Sequence, residues 1–181
     1  MNMKSKLRFL AICSALCCGL TANASTELTT CSEVELKVAL LFNVGTASLH
    51  LEDCSQAENV LGDIPKQFSL QAAREFKAED LTETAVDVLV QNLELGSSEE
   101  LPADLACMAN AYVDAGPGDR FDIVYEPEDS LAMFLNDELV QRCDDQGYGE
   151  KYFMIWFGEE PFHQRLRDRL LEKALQYSNE V

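Results

Sequence analysis

The sequence predicts an α+β fold, in which helices cover one antiparallel sheet. Two observations predict it. Apolar residues alternate with a period of two in two separate blocks, and each block is followed by apolar residues at helical spacing. The resulting order, β-β-β, α-α, β-β-β, α-α, segregates helices from strands instead of alternating them. A third observation is an aromatic run near the C-terminus. Phe153, Trp156 and Phe157 recur at i, i+3 and i+4, so three large rings share a helix face that must be buried against upstream strands.

The elements follow in order. Val34, Leu36, Val38, Leu40 and Phe42 alternate with Glu35, Lys37, Ala39, Leu41 and Asn43, which predicts a strand. Val44 to Leu51 predicts a second, with Gly45 marking a bulge or a close backbone approach. Asp53 to Pro65 is polar and punctuated by Gly62 and Pro65, hence a loop with a helical turn. Phe68, Leu70, Ala72 and Phe76 predict the third strand, with Arg74 on the same parity. From Glu79 the period changes: Leu81, Ala85, Val88 and Leu89 form a helical stripe running to about Leu95, with Gly96 as its stop. Ser98 is read as the N-cap of a second helix, whose stripe is Leu101, Leu105, Met108 and Tyr112. Pro102 falls in its first turn, where backbone N–H groups are free.

Gly116-Pro117-Gly118-Asp119 breaks the helix, and strands return. Phe121, Ile123 and Tyr125 alternate with Asp122, Val124 and Glu126. Leu131 to Leu135 and Leu139 to Cys143 flank Asn136-Asp137, a hairpin turn. The aromatic helix follows. Gly158 is expected to end it in the left-handed conformation, and Pro161 to set up a last helix through Arg165–Leu171.

The N-terminus reads as an export signal. Lys4, Lys6 and Arg8 precede the short apolar run Leu10 to Leu20, and Ala22-Asn23-Ala24 has the form of a cleavage site. The expected mature chain is a single domain, 25–181, in the periplasm or secreted, with no stable membrane insertion. The formal charge is −18 over the whole chain. Residues 1–24 remove three cations and no acid, so the mature charge is −21. Such a surface disfavours nucleic acid and leaves a basic protein as the conceivable macromolecular partner.

Cys13, Cys17 and Cys18 fall in the signal; Cys31, Cys54, Cys107 and Cys143 remain. In an oxidising compartment four thiols give up to two disulfides with three pairings. The preferred pairing is Cys31–Cys54, across the two ends of a β segment, with Cys107–Cys143, tying a helix to a late strand. There is no Cys-x-x-Cys and His is scarce, so no metal or other cofactor is expected.

Phe42-Asn-Val-Gly-Thr-Ala-Ser-Leu-His-Leu-Glu52 resembles the early β segment of chalcone isomerase-like proteins. Pro65-Lys66, Gly118-Asp119 and Tyr125-Glu-Pro are similar to its later landmarks. Ile155-Trp-Phe-Gly-Glu-Glu-Pro161, followed by Leu166 and Leu170-Leu171, looks like the family's Ile-Trp-Leu-Gly-Asp-Lys-Pro stretch. The resemblance spans about Val34 to Leu171. It implies an open-faced β-sandwich: a large antiparallel sheet, a layer of helices, and a cleft between them for an amphipathic ligand. In the plant enzymes a chalcone phenolate adds across a conjugated double bond there. In fatty-acid-binding relatives an arginine meets the carboxylate.

That chemistry needs a cation where negative charge develops. Aligned on Phe42, the family's arginine falls at Glu33, its threonine near Gly45 with Thr46 adjacent, and its tyrosine near Leu81. A carboxylate repels a phenolate, so no catalytic residue is assigned. The expected function is a non-catalytic exported protein binding a small apolar or amphipathic ligand. Candidate cleft residues are Arg74, Tyr112, Tyr125 and His50, the last standing where the family motif has Tyr. Two alternatives are an isomerase (intramolecular lyase) acting on another conjugated carbonyl compound, and a ligand-free acidic interaction module.

Overall fold

The computed structural model describes residues 27–38 and 42–179. The signal segment, its cut after Ala24, and the expected passage of the first strand through residues 39–41 lie outside these. The first strand, β1, runs Thr29–Val38, and β2 runs Phe42–Leu51. This corrects the expected boundary, since Phe42 opens the second strand instead of closing the first. Period-two alternation survives within β1: Val34 and Leu36 are buried, Glu33, Glu35 and Lys37 exposed.

Gly45 shows both features that its position suggested. Leu36 pairs with Gly45 and Lys37 with Asn43, so the register skips a residue there. A Cβ on Gly45 would lie 2.4 Å from the carbonyl oxygen of Gln71, which only glycine tolerates.

Strand β3 is Lys66–Ala72. It stops four residues short of Phe76, which makes only an isolated bridge to Ala115. The 116–119 turn closes over the strand end: Ala72 N–H donates to the Asp119 carbonyl, and Gly118 N–H to the Ala72 carbonyl, each at 2.7 Å. Arg74 therefore lies in a bend beyond the sheet, exposed, and not on the strand as expected. Strands β4 (Arg120–Glu126), β5 (Ser130–Leu135) and β6 (Glu138–Asp144) complete one six-stranded sheet in sequential order, antiparallel throughout. Asn136 and Asp137 take φ of 52° and 68°, the left-handed pair that a two-residue hairpin requires.

Helices cover one face. Helix α1 is Ala78–Asn92, ending earlier than Leu95, and the left-handed residue after it is Glu94 (φ 54°), not Gly96. Helix α2 is Ala103–Ala109, with Pro102 as its N-cap. Ser98 instead opens a separate 3-10 turn, and Tyr112 lies past the helix end. The aromatic stretch is a 3-10 turn, Gly149–Phe153, leading into a short helix α3, Met154–Phe157. Gly158 there is extended, with ψ of −179°. Glycine is needed for space: a Cβ would meet Asn92 Oδ1 at 2.3 Å. Asn92 also donates to the Glu160 carbonyl at 2.8 Å and accepts from Glu160 N–H at 3.1 Å, clamping α1 to the α3 exit. The last helix, α4, is Gln164–Ser178, capped by His163, which is half-buried. Its Leu166, Leu170 and Ala174 face β1 and the 3-10 turn Cys54–Asn59.

Phe68 is the centre of the packing. Trp156 stacks on it at 4.0 Å between centroids, and Phe157 meets it edge-on at 6.3 Å. Burial of each such ring contributes about 1.5–3 kcal/mol, and the ring pairing about 0.5–1.5 kcal/mol more. Disulfides join Cys31 to Cys54 and Cys107 to Cys143, the preferred pairing. Asp104, fully buried, accepts backbone N–H bonds from Leu105, Gln146 and Tyr148, which holds α2 to the chain leaving β6. Lys66 is also fully buried. Its Nζ donates to the carbonyls of Val60 and Gly62 at 2.8 and 2.6 Å, and lies over the rings of Tyr125 and Phe153.

Candidate functional site

A cleft of about 210 Å3 lies between the sheet and the helices. Leu36 of β1, Phe68 and Leu70 of β3, and Phe121 and Ile123 of β4 supply its sheet side. Leu81 of α1, Trp156 of α3 and the exposed Phe162 close over them. The sheet side follows from strand parity, since these residues alternate with outward polar ones. The helix side follows from the spacing that aims Leu81 down onto the sheet.

Two of the four candidates line the cleft. Tyr112 is half-buried, edge-on to Phe121 at 5.7 Å, and its hydroxyl accepts from Tyr152 O–H at 3.2 Å. Burial pushes its phenol up to about 12. Arg74 stands at the rim, its guanidinium 5.5 Å from the Phe76 ring centroid. It is exposed. Glu75 and Asp80 share that rim.

The other two candidates lie elsewhere. Tyr125 faces the helix layer but away from the cleft. Its hydroxyl lies 2.7 Å from Asp63 Oδ1 and 3.0 Å from Asp145 Oδ2. Burial and these two carboxylates hold its pKa well above the ordinary phenol value, so the phenol keeps its proton more tightly. His50 is on the opposite, open face of the sheet, in a polar groove with Ser48, Ser69 and Asp122. Ser69 Oγ donates to Asp122 Oδ1 at 2.6 Å and lies 3.2 Å from His50 Nε2. Arg120 Nε donates to the same carboxylate at 2.8 Å. Burial lowers the His50 imidazole below its ordinary value, against the pull of Asp122. Because the serine proton is directed at Asp122 and not at the imidazole, the trio is not a nucleophile–base arrangement.

The positions where the resemblance puts catalytic groups are apolar or turned away. Glu33 and Thr46 line the open-face groove, and Leu81 is a cleft wall. On β1 the residue that meets the cleft is Leu36. No group of three or more His, Cys, Asp or Glu among the described residues is placed to hold a metal. Phe162 and Thr84 were missed as cleft residues. Phe162 had a signal, a large ring in a turn just after Pro161.

The profile of the chalcone isomerase-like family matches residues 36–172. The chain belongs to the chalcone isomerase-like family. Among solved structures it is similar to a fatty-acid binding protein from Arabidopsis thaliana, with a TM-score of 0.61 at 15% identity, over 84% of this chain and 90% of that one. At that identity the likeness concerns the fold. No curated protein sequence matches the chain.

Proposed function

We propose that this chain binds a small apolar or amphipathic molecule in the cleft and does not cyclise chalcones. One observation carries the reading: the cleft between sheet and helices is walled by aromatic and aliphatic side chains, while Glu33, where the resemblance puts the family's arginine, lines the groove on the other face. A closing phenolate would meet a carboxylate in place of the cation that the resemblance calls for, and such a cation is worth several kcal/mol, on the order of an oxyanion-hole donor. Tyr112 and Arg74 are the polar contacts offered to a bound molecule. The fatty-acid binding relative supports the same kind of ligand.

Trp156 is the chain's only tryptophan and lines the cleft, so it reports on occupancy. Titration of delipidated protein with lauric acid or dodecanol is expected to give a saturable change in its emission, and a chalcone is expected to remain uncyclised. A response that is absent or linear, or turnover that Tyr112→Phe abolishes, would overturn this function.

Export belongs to the same proposal, with residues 1–24 removed and 25–181 forming the working domain. Two disulfides and the lack of any described helix long and apolar enough to cross a membrane support it. Intact mass of the protein recovered from its own cells is expected to match a chain starting at Ser25. A mass retaining Met1 or Asn2 would refute the cleavage.

A further inference from the structure

A second cavity, of about 440 Å3, opens between β1 and the start of α4. It adjoins the apolar cleft: Leu36 lines both, and the consecutive residues Phe162 and His163 line one each. Its charge is opposite to that of the chain. Lys37, Arg165 and Arg169 line it against a single carboxylate, Glu35, in a protein whose formal charge is −18.

Ion pairing separates the arginines among the described residues into two groups. Arg120, Arg142 and Arg167 each pair with an aspartate. Arg74, Arg165 and Arg169 make no ion pair with a described residue, and all three line these two cavities. The two ends are not equivalent. At the Arg74 rim two carboxylates, Glu75 and Asp80, offset one cation. In the second cavity Glu35 pairs with Lys37 at 2.7 Å and also feels the charge of Arg169, so three cations face one carboxylate and Arg165 and Arg169 form no ion pair with a described residue. They stand four apart on α4 and so are neighbours on one helix face. At the start of this helix Leu166 N–H bonds to His163 Nδ1 and to the His163 carbonyl, which caps one of its first-turn donors. The charge that an anion here would meet is on the side chains of Arg165 and Arg169.

We propose that the cleft ligand is an amphipathic anion whose tail lies against Phe68, Leu81 and Trp156 and whose phosphate-like head is held by Arg165 and Arg169. This rests on the reading of the cleft as a ligand site. Guanidinium groups present paired donors that match tetrahedral oxyanions, and two of them balance a doubly charged head better than a single carboxylate. The size of the cleft agrees: alone it is smaller than the about 300–1,000 Å3 of common ligand pockets, and the adjoining groove supplies the remaining room.

The test compares dodecyl phosphate, dodecanol and inorganic phosphate, below micelle formation, on wild type and on the exposed double variant Arg165→Gln/Arg169→Gln. Trp156 emission and calorimetry provide the readouts. Wild type is expected to prefer dodecyl phosphate over dodecanol by about tenfold or more, a preference that salt weakens and the double variant loses. Equal affinity for the two chains in wild type would overturn the head site and leave the cleft reading standing. A preference that survives in the double variant would overturn the assignment to α4. Inorganic phosphate binding as tightly as dodecyl phosphate would reduce the groove to a free-anion site and overturn the two-part ligand. If neither chain binds, both this inference and the reading beneath it fail.

Discussion

Reduction of the two disulfides is expected to lower the unfolding free energy by about 3–4 kcal/mol for each bridge, the entropy of loops closed over sequence separations of 23 and 36. Against a domain stability of about 5–15 kcal/mol, losing both leaves a large unfolded fraction at ambient temperature. The two bridges act at opposite edges of the sheet. Cys31 ties the start of β1 to Cys54 in the turn on which α4 packs. Cys143 ties β6, which pairs on one side only, to Cys107 of α2. Urea titrations with and without reductant, followed by Trp156 emission, measure the effect. The pairs Cys31→Ser/Cys54→Ser and Cys107→Ser/Cys143→Ser separate the contributions. A loss below about 1 kcal/mol on full reduction would show that the bridges constrain little of the unfolded chain.

Stability is expected to rise with pH between about 7 and 10, by about 2 kcal/mol, because of one buried lysine. Burial lowers Lys66 from 10.5 to about 8, against the opposing pull of Glu150 and Asp63. Below that folded value both folded and unfolded chains hold the proton, and the full cost of burying the charge, about 3 kcal/mol, is present. Through the window from about 8 to 10.5 the unfolded chain binds the proton more readily, so raising the pH favours the fold. Above about 10 the slope reverses. The buried phenols Tyr112 and Tyr152 keep their protons while unfolded tyrosines ionise, and their contribution is lost as pH climbs. Urea midpoints across this range measure the rise, and Lys66→Met is expected to flatten it. A wild-type curve that is flat or falling from pH 7 to 10 would mean that the two carbonyls and two rings around Nζ fully replace its water.

Much of the sheet was legible because strand periodicity is a local property. Val34 and Leu36 against Glu35 and Lys37 place their faces without reference to any partner. The same parity puts His50 opposite Leu49 and Leu51, and so on the open face away from the cleft. Lys66 carried a comparable signal, sharing the parity of Phe68, Leu70 and Ala72. Boundaries were less legible because other segments decide them. Strand β3 ends at Ala72 because the 116–119 turn takes its last hydrogen bonds, and that moves Arg74 out of the sheet. Gly158 is glycine because Asn92, distant in sequence, fills the space above it.

The amino-acid sequence alone determined the α+β class, the order of the elements, the face of most strand residues, the preferred cysteine pairing and the family. Each depends on spacing along the chain or on motifs within it. The tertiary structure alone decided which faces meet. Leu36, Phe68, Leu81, Trp156 and Phe162 enclose one space, and the unpaired Arg165 and Arg169 open beside it. Side chains so far apart in sequence become neighbours only through packing of helices on the sheet, which no local period encodes.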